Sequence, residues 1–579
     1  MAIAKAPGIE VIEGEKGARV IEGIFPSIAA VVGITEKGKI GEPILVTSYP
    51  DFVNKFGTKV GYSYTPFSVQ HFFDNGGTML YVVRTCHYSE GTPTAVSSDV
   101  TVPDSGSVPD DCLAVEAHSE GTWGDLITFS IEYSNKLSTK LAEDASNGDD
   151  YIIVEDINGA QVGRAIKIGD GGTEEYGKIK SIDETNRKIY LETPLSGDYN
   201  AEDPVVSLDF NITVYHKGVQ VEPTWEYLSM ESDCAGYVEN VLNDDNSGSK
   251  YVRVTEISSA SDYPTKLPAV GQYALSGGDN GLTGMTQEDF YDLEEEEGGI
   301  YALKKVVEPL TLFVPDIHLF ANPERAHKAI EQWAEQDGRV AFIYSPPYGY
   351  NQQNAREYKR TTAMMTSKYS AGYYPWQKFY DTVRECESYI PPEGMVVGTM
   401  VRMDRQKGIN RAPAGTSAQL VDSLGPEREL SKQDLEYLSA DLNCIIKKPG
   451  YGILVWGCRT STNGSQSRYI NNRRYLNYLK VTLQQGMQYI VFNPANKTET
   501  YIQGSLTLES FLRAEWREGR LVGNTAQDAF YVNWTGSVNP KELTDRGIMT
   551  FEIGVSLEVP GEFVRFIVYP GTGGAVEEI

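Results

Sequence analysis

The chain has 579 residues and a net charge of −29, with six cysteines and six histidines. This length exceeds what one hydrophobic core can hold and predicts roughly three or four domains. The cysteines lack CxxC spacing and the histidines lack HxxxH or HExxH spacing, which leaves little material for a zinc site or a disulfide framework.

The first 24 residues contain few large apolar side chains, apart from an alternating run that includes Ile9 and Val11. This run predicts a short strand that cannot fold alone, and a frayed terminus is the alternative. Glutamates interrupt the region where a signal peptide would need an apolar core, and no apolar run in the chain is long enough to span a membrane. We therefore expect a protein made in a cytoplasm, without membrane insertion.

Residues 25–88 show the pattern strand, strand, helix, strand, with the second strand inside residues 41–57 and the helix ending at Asn75-Gly76-Gly77. A glycine pair can bind phosphate when it precedes a helix. Here it precedes a strand, so we expect no nucleotide site. The segment is predicted to be a compact α/β unit.

Residues 89–270 are predicted to be β-rich and begin with a linker of Ser, Pro, Asp and Gly. Many short β patterns in residues 141–208 predict a small inserted β domain. Its acidic turns suggest calcium as one interpretation, but no DxDxDG loop is present, and solvated turns are the commoner explanation. Residues 271–446 then alternate buried strands with helices, which is typical of βαβ units and a mostly parallel sheet.

The most suggestive catalytic residues are Asp316 and His318, at the end of a predicted strand where α/β enzymes often place functional groups. No GxSxG nucleophile elbow occurs, and no pattern brings two carboxylates together in a cleft. We expect neither enzyme activity nor a cofactor, and a carbohydrate-active enzyme is the less favoured alternative.

Residues 447–561 predict two helices followed by a long strand. Apolar residues recur at helical spacing over residues 471–485 and 508–518. Between Met549 and Val559 every second residue is apolar, which predicts a strand with one buried face. A Pro560-Gly561 turn follows, and residues 563–569 (FVRFIVY) predict a further strand that needs a sheet to join.

Basic residues are concentrated in the same region. Between Lys447 and Lys541 there are twelve Lys and Arg against five Asp and Glu, in a chain that is strongly acidic overall. This asymmetry predicts a basic surface turned toward an acidic partner. No arginine-rich run, RNP-like sequence or zinc-finger spacing favours nucleic acid, so an acidic protein surface is the expected partner.

Several segments, in their order and spacing, resemble contractile tail sheath proteins of bacteriophages and related injection particles. The segments, taken from the N-terminus, are IEGIFPSIAAVVGITEKG at 21–38, YYPWQKFYD at 373–381, MVVGTMVRMDRQKGINRAPAG at 395–415, GILVWGCRT at 452–460, INNRRYLNYLKVTLQQGMQYIVFNPAN at 470–496, FLRAEWREGRLVGNTAQDAFYV at 511–532 and FEIGVSLEVPGEFVRFIV at 551–568.

The resemblance implies an α/β and α+β multidomain fold, with central and C-terminal α/β sheath domains, inserted β-rich outer domains and extended terminal strand arms. The implied division is an N-terminal linker arm (1–24), an N-terminal α/β sheath segment (25–88), an outer β-rich region (89–270) with its insert at about 141–208, a central α/β sheath domain (271–446), a C-terminal inner sheath domain (447–561) and a C-terminal strand arm and tail (562–579).

The resemblance also implies a structural subunit that polymerises as stacked hexameric rings around a tail tube and contracts to drive the tube through a cell envelope. Each subunit would lend strands to its neighbours. The implied arm residues are Ile9, Val11, Phe563, Val564, Phe566 and Val568, the receiving strand contains Phe551, Ile553 and Val555, and the tube-facing residues are Arg513, Arg517 and Arg520. Ion pairing with Glu509 and its neighbours is the alternative for these arginines.

The implied partners are further copies of the chain, a tail tube protein, and baseplate and tail terminator proteins, without direct contact to nucleic acid. The implied location is a virion tail assembled in a bacterial cytoplasm. A phage-derived bacteriocin or an extracellular contractile injection particle is the alternative, and a tail tube or baseplate component is a structural rival.

Overall fold

A nine-stranded sheet organises the molecule. The structure is a computed structural model that describes residues 21, 23–260, 262–295, 297–462, 464 and 467–562. The strands follow one another across the sheet in the order Ile44–Val46, Leu80–Arg84, Ile28–Gly33, Leu310–Phe313, Val340–Tyr344, Ser370–Tyr374, Asn443–Lys448, Gly452–Val455 and Gln419–Leu420. Six consecutive strands, from Leu80–Arg84 to Asn443–Lys448, are parallel, which confirms the predicted mostly parallel sheet.

Two apolar cores cover the two faces of this central sheet. All six residues of Ile28–Gly33 are buried, and they alternate between the cores: Ala29 and Val31 join one, whereas Ile28 and Val32 join the other. This is the pattern of a parallel strand covered on both faces. The helices around the sheet are Tyr49–Phe56, Thr65–Asp74, Glu288–Tyr291, Glu324–Asp337, Gln352–Glu357, Glu393–Lys407 and Lys432–Leu438, with 3-10 turns at Gly299–Lys305 and Pro315–Leu319 and a π turn at Tyr358–Thr362. No helix in the described part of the chain is both long and apolar enough to cross a membrane.

The prediction for residues 41–57 was partly wrong. Only Ile44–Val46 is a strand, and Tyr49–Phe56 is a helix whose N-cap, Ser48, accepts a hydrogen bond from the Asp51 N–H. Phe52 and Phe56, four residues apart, are both buried on one face of this helix. The Ser-x-Pro start and this spacing were the signals that a strand interpretation overlooked.

The outer region contains two antiparallel sheets that share one core. In one, Ile127–Ser134 lies between Asp209–His216 and Gly271–Ala274, and Val219–Gln220 and Trp225–Leu228 pair with Asp209–His216. The other consists of Val252–Glu256, Asp111–Ala117 and Asp99–Pro103. The helix Val238–Leu242 packs against the core that the two sheets share. Smaller elements nearby and in the central region are Tyr88–Ser89, Thr92–Pro93 and Gly124–Leu126, and a sheet of Cys386–Ile390, Gln377–Asp381 and Gly425–Pro426.

Residues 138–207 form a closed six-stranded antiparallel barrel, here called the outer barrel. Its strand order is Tyr151–Ile153, Lys188–Leu191, Glu175–Asp183, Ala165–Ile168, Pro204–Ser207 and Ser138–Lys140. An antiparallel bridge between Leu141 and Val154 joins the last strand to the first and closes the sheet. The barrel has an apolar core of its own. It emerges from the tip of an outer-sheet pair, where Asp209 lies opposite Ser134.

The C-terminal region packs two long helices against a short strand pair. Helix Ile470–Gly486 confirms the prediction for residues 471–485. Helix Thr498–Arg517 starts ten residues before the predicted 508, because its first half buries polar and small residues that leave no apolar pattern. Phe530–Asn533 and Glu552–Val555 pair antiparallel and are called the C-terminal strand pair. Short helices at Gln488–Ile490, Ala526–Ala529 and Lys541–Thr544 complete the region.

The predicted strand from Met549 to Val559 was too long. Only Glu552–Val555 is paired, because its partner Phe530–Asn533 is itself four residues long. Val559 is 77% exposed, so the alternation of buried residues does not continue to that position.

Candidate functional site

The N-terminal end of the described chain lies on the C-terminal core. Ile21 is buried among residues of helices Ile470–Gly486 and Thr498–Arg517, and Ile24 packs against the same core. A Cβ added to Gly486 would meet Ile21 Cγ2 at 2.6 Å, so this close approach requires glycine. The predicted arm residues Ile9 and Val11 lie outside the described residues.

Residues 558–562, here called the strap, are fastened to the central region by two glutamates. Glu558 pairs with Arg411 and accepts a hydrogen bond from Asn410 Nδ2 at 3.2 Å. Glu562 pairs with Arg459 through two contacts, of 2.8 Å to Nε and 2.5 Å to Nη2. Two parallel contacts of this kind give an arginine–carboxylate pair both strength and direction. The predicted arm residues that follow, Phe563, Val564, Phe566 and Val568, lie outside the described residues.

The predicted receiving residues lie on or beside the C-terminal strand pair. Phe551, Ile553 and Val555 are partly buried and pack against the C-terminal core. Neither strand of the pair has a further partner among the described residues. An isolated two-stranded sheet is marginal in water, and its outer N–H and C=O groups can accept another strand.

A groove of 620 Å³ lies beside this pair and is lined by Met487, Ile490, Phe551 and Ile553 among others. Phe492, on its rim, is fully exposed. Because contiguous exposed apolar surface marks interaction sites, the groove extends the candidate binding surface of the strand pair.

The three arginines predicted to face a tube differ in their surroundings. Arg513 and Arg517 are exposed, and neither has an ion-pair partner among the described residues. Arg520 is half-buried and contacts Glu515 and Glu518, each at 2.6 Å. Glu509 pairs with none of the three in the described chain. Arg520 is thus held by intramolecular partners, and Arg513 and Arg517 remain available.

Glu515 explains why Arg520 is held. This carboxylate is buried and accepts a hydrogen bond from Tyr475 Oη at 2.8 Å. Burial raises the pKa of Glu515, and the Arg520 guanidinium opposes that shift. Arg520 therefore stabilises a charge inside the C-terminal core.

The exposed face of helix Thr498–Arg517 has an apolar end and a basic end. Leu506 is 61% exposed, and Ile502 lies one turn before it. Arg513 and Arg517 continue the same face toward the C-terminus, because residues three or four apart share one side of a helix. This face could bind a partner that combines apolar and acidic groups.

Asp316 and His318, the residues closest to a catalytic pattern, are both used inside the fold. Asp316 is fully buried and accepts hydrogen bonds from the N–H groups of Ile34 and Tyr64 at 2.7 and 2.6 Å. Burial raises its pKa, and these hydrogen bonds oppose the shift. His318 Nε2 lies 3.1 Å from Ser345 Oγ, which donates to Glu393 at 2.6 Å. The side chains of His318 and Glu393 are each 2% exposed, so they offer almost no surface to a substrate.

His71, Asp74 and Asp422 are the one group of three described residues with suitable metal-ligand atoms within 4.8 Å of one another. His71 Nδ1 contacts Asp422, and Asn75 Nδ2 donates to the same carboxylate at 2.5 Å. Sequence reasoning missed this group because 351 residues separate His71 from Asp422. The hydrogen bonds give the cluster a structural role in joining helix Thr65–Asp74 to the loop at Asp422.

No protein-family model matches the sequence, and no curated protein matches it. Solved structures do match. A sheath tail protein from Listeria innocua is similar with a TM-score of 0.53 at 10% identity, over 93% of this chain and 96% of that chain. The helical sheath of the anti-feeding prophage in its contracted state gives a TM-score of 0.51 at 14% identity, over 98% of this chain and 99% of that one.

A chain of the six-fold symmetrised anti-feeding prophage baseplate gives a TM-score of 0.51 at 14% identity, over 98% of this chain and 100% of that chain. These similarities extend over nearly the whole molecule and show that it has the fold of contractile sheath proteins. The predicted mixed α/β fold with several sheets is confirmed. The predicted division into domains stays a prediction.

Proposed function

We propose that this chain is the sheath subunit of a contractile tail or of a phage-like injection particle. The observation that carries the proposal is the sheath fold, which extends over 98% of the chain in the comparison with the contracted helical sheath. The C-terminal strand pair supports it, because its outer edges have no partner in the part of the chain that the structure describes, and a polymer made by strand exchange needs such edges.

In the proposed polymer, subunits form stacked hexameric rings and lend terminal strands to the strand pairs of their neighbours. Each added backbone hydrogen bond contributes about 0.5–1.5 kcal/mol. Each fully buried Phe or Val side chain of an arm contributes about 1.5–3 kcal/mol more. These contributions hold neighbours together while the subunit bodies rotate.

Contraction in this proposal converts an extended sheath into a wider and shorter one without nucleotide hydrolysis. The strand connections persist, and each body changes its contacts with adjacent rings. A gain of a few kcal/mol per subunit, repeated over many rings, would drive the enclosed tube through a cell envelope.

The exposed face that contains Arg513 and Arg517 is the proposed contact with the tube. Exposed ion pairs contribute about 0–1 kcal/mol each and weaken as salt rises. Contacts of this strength keep the sheath in register with an acidic tube and still break during contraction.

Electron microscopy of the purified full chain, and of a chain without residues 1–20, tests the proposal. We expect helically striated hollow tubes from the full chain and none from the shortened one. Residue 21 is the right limit, because Ile21 belongs to the C-terminal core and its removal would disturb folding. A full chain that stays monomeric both alone and with its tube protein would contradict the proposal.

Assembly with the tube protein at rising salt tests the tube contact. The double variant R513E/R517E should lose assembly at low salt, whereas R405E, a change at an exposed arginine of helix Glu393–Lys407, should not. Equal assembly of both variants would place the tube contact elsewhere.

An extracellular injection particle is the second candidate, since the anti-feeding prophage sheath has the same fold. Microscopy of whole particles distinguishes the two, because a virus tail joins a DNA-filled head and an injection particle does not.

A further inference from the structure

A cavity of 1010 Å³ lies beneath the strap. Its walls come from the end of helix Glu393–Lys407, from helix Lys432–Leu438, from the strands on either side of the turn at 449–451, and from the strap itself. The apolar part of the lining includes Leu435, Leu442, Cys444, Trp456, Cys458 and Val559. The strap therefore forms one wall of a large and mainly apolar space.

Apolar groups at this cavity are left in contact with water. Trp456 is 38% exposed and Val559 is 77% exposed. Covering apolar surface of this kind is favourable by about 25 cal/mol per Å². A cavity at the upper end of the roughly 300–1,000 Å³ typical of ligand sites can take several large side chains.

We propose that residues 563–569 of the same chain occupy this cavity in the unassembled subunit and leave it when they pair with a neighbour. The chain reaches the cavity wall at Glu562, which Arg459 holds in place. Residue 563 therefore starts at the site with no intervening linker. Tethering this short raises the effective concentration of a segment to the millimolar range.

The chemistry of the segment matches the cavity. Its sequence, FVRFIVY, has six apolar or aromatic side chains and one cation, Arg565. Three carboxylates and four cations line the cavity. Glu558 and Glu562 are paired with Arg411 and Arg459. Glu436 lies one helical turn from Lys432 but has no cation within ion-pair distance among the described residues. Glu436 is thus the partner that Arg565 would find.

The consequence is a latch that shields the arm until a polymer end offers an unpaired strand. A segment so rich in β-branched and aromatic residues would otherwise pair at random with other edges. The release of residues 563–569 on polymerisation rests on the proposed function, whereas their docking in the cavity requires only the single chain.

Cysteine pairing tests the docking in the full chain, with Cys386, the exposed native thiol, changed to serine and the two cysteines of the cavity lining, Cys444 and Cys458, changed to alanine. The variant E436C/R565C should form a disulfide within one chain in the monomeric fraction, found by mass spectrometry without reduction. Q433C/R565C is the matched control, because Gln433 lies on the same helix outside the cavity lining. Equal cross-linking of both variants, or cross-links only between chains, would overturn the proposal.

Hydrogen exchange provides a second measurement that does not depend on introduced thiols. In monomers of F563S/F566S, amides near Cys444 and Cys458 should exchange about tenfold faster than in the unchanged chain. V576S, which alters an apolar residue beyond the segment, should leave exchange unchanged. Equal exchange in all three chains would overturn the latch, whereas striated tubes formed by the unchanged chain would still support the proposed function.

Discussion

The outer barrel and the C-terminal strand pair are both small β structures, but the barrel closes on itself, whereas each strand of the pair has one unpaired edge in the described part of the chain. The barrel closes through the bridge between Leu141 and Val154, so each of its strands is paired on both sides within the barrel. The strand pair has two four-residue strands with no third strand in the described chain. A closed sheet offers no edge to another molecule, whereas an open pair is stabilised by adding strands.

The two structures also differ in how they join the molecule. The barrel leaves and re-enters the outer sheet at adjacent positions, since Asp209 lies opposite Ser134. The strand pair lies where both ends of the described chain meet the C-terminal region, at Ile21 and at the strap. Polymerisation should therefore depend on the smaller structure and not on the larger one.

Removing residues 563–579 should have the largest effect. Without this segment the strand pair of a neighbour receives no C-terminal strand, so we expect loss of tubes in electron microscopy and a monomer in analytical sedimentation. Circular dichroism should remain close to that of the full chain, because the deletion leaves every helix and strand of the described residues in place. Normal tubes from the shortened chain would show that the strand pair does not depend on this segment.

The next effect concerns the joint between barrel and outer sheet, where Arg164 and Asp209 form an ion pair that is almost completely buried. R164A leaves the Asp209 charge buried without a partner, which should destabilise the outer region by about 3–5 kcal/mol in chemical denaturation. R253A is the matched control, because Asp245, its partner, is 85% exposed and such pairs contribute about 0–1 kcal/mol. Equal losses would mean that the joint is not fixed by this pair.

A smaller effect is expected from pH. Burial, together with Arg253, Lys250, Lys39 and Lys37 nearby, lowers the pKa of His118 from 6.5 to about 4. As pH falls, the unfolded chain therefore binds a proton at His118 before the folded chain does. The contribution of His118 to the free energy of unfolding has its full value above pH 6.5 and decreases as the pH is lowered toward 4.

Because His118 is partly exposed, we expect a loss of about 1–2 kcal/mol over that range. Denaturant unfolding followed between these pH values measures it, and H118Q should flatten the slope. Hydrogen exchange should place the loss in the outer sheets and leave the strand pair unaffected. An unchanged slope in H118Q would assign the pH dependence to other groups.

The smallest effect should come from the largest deletion. Replacing residues 135–208 by Asn-Gly turns the two outer strands into a tight hairpin, for which this dipeptide is suited. The change D209N belongs in the same variant, because Arg164 is removed with the barrel. We expect tubes of normal appearance, narrower by the lost outer mass. Loss of tubes would show that the barrel takes part in polymerisation.

The sequence predicted those elements whose apolar spacing is local and regular. Leu476, Leu479 and Leu483 recur along one face, and the predicted helix agrees with Ile470–Gly486. The first half of helix Thr498–Arg517 was missed, because it buries Tyr501, Gly504 and Ser505, which do not form an apolar stripe. Helix Tyr49–Phe56 was missed because it is only eight residues long and follows closely after strand Ile44–Val46, so the apolar residues of both were assigned to one strand.

Local spacing in the sequence was equally unable to define the candidate binding surfaces. Arg513, Arg517 and Arg520 belong to one basic stretch in the sequence, and spacing alone could not separate them. Arg520 differs because it pairs with Glu515, a buried carboxylate five residues earlier in the chain. The cavity beneath the strap likewise had no sequence signal, since the strap lies about a hundred residues along the chain from the other lining segments.

By itself the sequence determined the alternation of strands and helices in the central sheet and the apolar character of the segment at 563–569. These properties depend on periodicity within a few turns of chain. Only the tertiary structure decided that the barrel closes and, within the described residues, that the strand pair has no third strand and that Arg513 and Arg517 have no ion-pair partner. Those outcomes depend on contacts between residues that are distant in sequence, and local sequence patterns do not predict the geometry of such contacts.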